Sequence, residues 1–75
     1  MIKPNKIREL RETAACSQWD LAAQTGIDRS RVSLIECGHV EPSASELAAI
    51  EKALAAALSF RLEQVMRSRE EVVNS

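Results

Sequence analysis

The stretch Ser17-Gln18-Trp19-Asp20-Leu21-Ala22-Ala23-Gln24-Thr25-Gly26-Ile27-Asp28-Arg29-Ser30-Arg31-Val32-Ser33-Leu34-Ile35-Glu36 decides the fold. It reads as two short helices joined by a tight turn at Gly26. Leu21, Ala22, Thr25, Ile27, Val32 and Ile35 fall at the spacings that let such helices pack across each other, which is the pattern of a helix-turn-helix. Ala22 is small where the helices cross closely, Gly26 stands where the chain must turn, and Ile27 is apolar directly after the turn. Val32 and Ile35 supply the inner face of the second helix. Each feature is weak alone; their joint spacing is specific.

Working outward, Ser17 with Asp20 fits a capping box, so the first helix of the pair is predicted from about Gln18 to near Thr25. Asp28 is placed to cap the second, which runs to about Cys37 and stops at Gly38. Arg29, Ser30, Arg31, Ser33 and Leu34 are then spread over its outward surface. Upstream, Asn5 caps a predicted helix through about Ala14, with Ile7, Leu10 and Ala14 facing inward and Pro4 blocking backward extension. Downstream, Ser43 and Glu46 make the strongest capping box in the chain. No Gly or Pro follows Ser43, and Leu47, Ile50, Leu54, Leu58, Leu62, Val65 and Val72 keep nearly one helical phase, which permits a single long helix.

Composition fits this reading. The 75 residues are 45% hydrophobic, 28% charged and only 3% aromatic, with abundant Ala and scattered β-branched residues, so one all-helical domain is expected. A core this small is marginal alone, and association is a natural supplement. The net charge of −1 argues against a non-specific nucleic-acid coat, which needs many neutralised phosphates. Residues 1–40 are net +1 and residues 41–75 net −2, which favours the first part for any anionic partner. No apolar run approaches a membrane span, and Met1-Ile2-Lys3-Pro4-Asn5 lacks a signal peptide's apolar segment. A cytoplasmic chain with reduced Cys16 and Cys37 is therefore expected, Cys16 filling an apolar position.

The flanks extend the match: Ile7-Arg8-Glu9-Leu10-Arg11 before the stretch, Glu36-Cys37-Gly38 at its close, and Pro42-Ser43 with Leu47 and Ile50 after it. Over roughly residues 5–54 the chain resembles the lambda-repressor-like DNA-binding family, the phage repressor and Cro type also called XRE. The resemblance implies an all-α, compact four- to five-helix bundle, with a break after about Leu54 and a fifth helix opening near Ser59. We favour that break over the long helix. Residues 1–56 would form the helix-turn-helix domain, and residues 57–75 an amphipathic helix of the same domain used for dimerisation. Family members often carry Gly near Ala15 to end the first helix in a left-handed conformation; this sequence does not, so the first turn is expected to be slightly strained or differently shaped.

By position, the resemblance assigns base reading to Arg29, Ser30, Ser33 and Leu34, with Arg31 reaching a base or a neighbouring phosphate. Arg29 suits guanine, because a guanidinium donates two hydrogen bonds to O6 and N7. Gln18 resembles the family's phosphate-binding glutamine. Trp19 either packs on sugar and backbone or covers the first helix. Lys6, Arg8 and His39 are weaker phosphate contacts, since Gly38-His39-Val40-Glu41 lacks the basic residues often found in that loop. Arg11 and Glu36 match a pair that forms an internal salt bridge. Leu58, Leu62, Val65, Met66, Val72 and Val73 form a stripe longer than the DNA-binding core needs, which dimerisation would bury unless it folds back on its own domain.

These expectations describe a sequence-specific regulator of double-stranded DNA, most often a repressor, dimeric on a palindromic operator and working without a cofactor. A phage repressor, a restriction-modification controller and an autoregulating antitoxin all fit the length. A protein-binding adaptor, its tail holding a partner such as a toxin, is the alternative from another class. An enzyme fits least. His39 has no nucleophile constellation beside it, so no catalytic residue is assigned. Cys16, Cys37 and His39 fall short of a zinc site, so no metal is expected.

Overall fold

In the computed structural model, residues 3–74 are described, without the side chains of residues 4 and 69–74. They form four helices: α1 (Pro4–Thr13), α2 (Gln18–Thr25), α3 (Arg29–Glu36) and α4 (Ala44–Asn74), with no strand among the described residues. The helix-turn-helix expected from the spacing is α2 and α3. Each of α1 and α2 packs against both α3 and α4. Ile7 from α1, Leu21 from α2, Val32 and Ile35 from α3, and Ile50 and Leu54 from α4 meet at the centre, each almost wholly buried. Truncating any of the large ones to Ala would cost about 2–5 kcal/mol, so this cluster is what fixes the relative positions of the helices.

Two helix boundaries differ from the sequence reading. α1 begins at Pro4 rather than after Asn5, and its N-cap, Lys3, makes no side-chain capping bond. Proline's preset backbone angle and missing N–H suit the first helical position, so the helix starts there without a cap. The break after Leu54 and the fifth helix at Ser59 are absent: α4 runs unbroken for 31 residues. Nothing from Ser43 onward interrupts it, and Ala53, Ala55, Ala56 and Ala57 are strong helix formers across the expected break.

The ends of α1 and α3 are built alike. Past α1, Ala15 N–H donates to Glu12 O at 3.1 Å and Cys16 N–H to Arg11 O at 2.9 Å. Past α3, Gly38 N–H donates to Ile35 O at 3.1 Å and His39 N–H to Leu34 O at 3.0 Å. Both are Schellman closures, which require a left-handed residue at their hinge. Gly38 adopts φ +79 without penalty, whereas Ala15 is forced to φ +55, the strain that the missing glycine predicts.

Candidate nucleic-acid interface

The second helix of the pair is aimed by its caps. Ser17 Oγ accepts from Asp20 N–H at 3.0 Å while Ser17 N–H donates to Asp20 at 3.1 Å, which holds the Asp20 carboxyl below its ordinary value. Gly26 ends α2 with φ +75. Asp28 then accepts from Ser30 N–H at 3.0 Å and opens α3. With Ile27, Val32 and Ile35 buried against the core, the other side of α3 faces out. Ser30 and Leu34 are exposed there, and Arg29, Arg31 and Ser33 are half-buried.

A chain of polar contacts runs from the interior to this outer face. Arg11 donates to both oxygens of Glu36, at 2.9 and 3.2 Å, and its third nitrogen donates to Cys16 O at 3.0 Å. Glu36, the one buried charged residue among those described, also accepts from Gln18 Nε2 at 3.2 Å. Gln18 Oε1 in turn accepts from Arg29 Nη1 at 3.3 Å. The Arg29 guanidinium lies over the Trp19 ring, 4.7 Å from its centroid. Four of the residues singled out from sequence are thereby joined to Arg29 in one unit. Hydrogen bonding to Glu36 raises the Arg11 pKa further.

Arg31 is placed elsewhere. Its guanidinium donates to Glu46 at 2.6 and 2.9 Å, joining α3 to the capping box of α4, where Glu46 also accepts from Ser43 N–H at 2.9 Å. The Arg31 guanidinium first, and the Ser43 N–H after it, hold the Glu46 carboxyl down to about 2. Among the phosphate candidates, Lys6 pairs with Glu9 and Arg8 with Glu12, both at 3.0 Å and exposed, while His39 is exposed just beyond α3. Trp19 is 69% exposed, so it does not cover α1.

On α4, Leu58 is half-buried against its own core rather than free. Leu62, Val65 and Met66 are exposed, whereas the side chain of Val72 lies outside the described residues. Phe60, also exposed, escaped the sequence reading because it falls off the phase of that stripe. It borders a shallow groove with Ala14, Cys16, Gln24 and Ala56. Cys16 is buried, which pushes its thiol pKa up, and Cys37 is exposed; neither forms a disulfide. Among the described residues no three His, Cys, Asp or Glu side chains cluster as metal ligands, and no helix is long and apolar enough to cross a membrane.

The ion pair Arg31–Glu46 and the Arg29–Trp19 stack had no signal in the sequence. Glu46 was visible only as a cap, and its second partner lies fifteen residues away. A family profile described as helix-turn-helix matches residues 7–60. No curated protein and no solved structure matches the chain.

Proposed function

The chain belongs to the lambda-repressor-like (XRE) helix-turn-helix family of DNA-binding regulators, and on that premise we propose that it is a sequence-specific repressor, homodimeric on a palindromic operator. α3 enters the major groove, and Arg29, Ser30, Ser33 and Leu34 meet base edges. The open outer face of α3 carries this reading: its inner residues are clamped in the core while Ser30 and Leu34 stand clear of the protein. Arg29 pairs with a guanine, worth about 1–3 kcal/mol of discrimination, and Leu34 meets a thymine methyl. Gln18, Lys6, Arg8 and His39 contact phosphates; the surface pairs of Lys6 and Arg8 are cheap to exchange for them.

Exposed Leu62, Val65 and Met66 supply the dimer contact. A two-fold dimer sets two α3 helices about 34 Å apart, one turn of duplex, and the occupied operator blocks a promoter in the cytoplasm. Selection of bound sequences from a random duplex pool tests the whole reading. The expected product is a palindrome with half-sites one turn apart, and Arg29→Ala erases the preference at one position of each half-site. Absence of any preferred sequence at low salt, with capture of a protein by the apolar tail, would favour the adaptor instead.

A further inference from the structure

We infer that Trp19 is a specificity-setting residue: its indole face positions Arg29 for guanine without touching a base itself. The inference rests on the base-reading role of Arg29. A long arginine at the start of a surface helix has many rotamers, and reading one base requires that few be populated. Here two side chains from α2 limit it. The ring of Trp19 lies against the guanidinium face, 4.7 Å from Arg29 Cζ to the centroid, an attraction between the cation and the ring's negative face. Gln18 Oε1 takes Nη1 at 3.3 Å.

The polarity of that amide is not free to reverse. Gln18 Nε2 donates to Glu36 Oε1 at 3.2 Å, and Glu36 is held by Arg11. Turned over, the amide would point its oxygen at a carboxylate and its N–H at a guanidinium. Both contacts would repel, so Oε1 faces Arg29.

What these contacts leave open is decisive. Arg11 and Arg31 each grip a carboxylate with the edge formed by Nε and Nη2. In Arg29 that same edge makes no hydrogen bond to the protein among the described residues, while Trp19 lies against the face and Gln18 takes Nη1. A planar two-donor fork is thus left for a two-acceptor edge, which is what guanine presents through O6 and N7. Trp19 is itself 69% exposed, so its ring contributes little to the core, and removing it leaves the fold standing.

The test uses the full chain, the duplex selected from a random pool and its single-base variants. Trp19→Leu should lower discrimination about 2- to 5-fold at the one position that Arg29→Ala erases, the range expected of an exposed cation–π contact, and leave other positions unchanged. Trp19→Phe should retain most of it, and Trp19→Leu added to Arg29→Ala should cost nothing further at that base. Trp19 is the sole tryptophan, so Arg29→Ala should also change the emission of the free protein. Equal weakening on every duplex, unchanged preference, or unchanged emission would each overturn the positioning role while leaving Arg29 as a base reader. Uniform weakening by Arg29→Ala itself would remove the base-reading assignment and this inference together.

Discussion

Two arginine–glutamate pairs tie α3 to the rest of the molecule with the same forked geometry and different surroundings. Arg11 and Glu36 meet with side chains 13% and 3% exposed, and Arg31 and Glu46 with side chains 41% and 20% exposed. The shorter contact, 2.6 Å against 2.9 Å, belongs to the wetter pair. Distance therefore does not rank them; access to water does. An orphaned charge at Glu36 or Arg11 has little solvent to turn to, whereas water replaces either partner of the outer pair. The inner pair fixes where α3 sits. The outer pair decides what Arg31 is free to do.

The largest effect should come from breaking the inner pair. Glu36→Ala strips acceptors from two Arg11 nitrogens and from Gln18, and is expected to destabilise the domain by about 3–5 kcal/mol in urea unfolding. Small domains are often stable by only about 5 kcal/mol, so the variant should be partly unfolded at room temperature. A loss below about 0.5 kcal/mol would place this pair with ordinary surface pairs and erase the distinction.

Arg11 does a second job that sharpens the contrast: it donates to Cys16 O at 3.0 Å and so braces the turn where Ala15 is held at φ +55. Ala15→Gly should relieve that turn and raise stability by about 1 kcal/mol, after discounting the greater freedom of glycine in the unfolded chain. In the Glu36→Ala background the gain should be at least as large, because the brace is weakened. Calorimetry of the wild type and the three variants reads this directly, and a loss of stability on Ala15→Gly would mean that the turn is not strained.

The strain at Ala15 was legible because a Schellman end demands a residue type, and the sequence lacked it. For the same reason the capping boxes at Ser17–Asp20 and Ser43–Glu46, the stop at Gly26 and the buried faces of α2 and α3 were readable. Each depends on residues three or four apart. What failed was local too, but lay in competition between signals. Pro4 outweighed Asn5 as a helix start, and the uninterrupted run after Ser43 outweighed the resemblance that called for a break. Contacts between elements were another matter. Whether Arg31 points to DNA or to Glu46, and whether Trp19 covers α1 or lies under Arg29, is set by how α2, α3 and α4 are arranged in space. No spacing along the chain encodes that.

The smallest effect concerns the outer pair, and pH isolates it. The Glu46 carboxyl sits at about 2 against an ordinary 4.5, so the unfolded chain takes up this proton first as acid is added. The pair's contribution is complete above about pH 4.5 and drains away as pH falls toward 2. Glu46→Gln retains an oxygen for the Ser43 N–H but removes the charge. Melting temperatures of wild type and Glu46→Gln should therefore differ modestly near pH 7 and converge near pH 2. Asp20, also shifted down, titrates in both proteins and cancels in the comparison. Added salt should narrow the gap at neutral pH, because an exposed pair is screened. Freed from Glu46, the Arg31 fork becomes available to a phosphate, so the salt dependence of DNA affinity should steepen by about one unit in Glu46→Gln. A melting difference that persists undiminished at pH 2 would show that the charge of Glu46 is not its source, and the outer pair would then hold neither α3 nor Arg31.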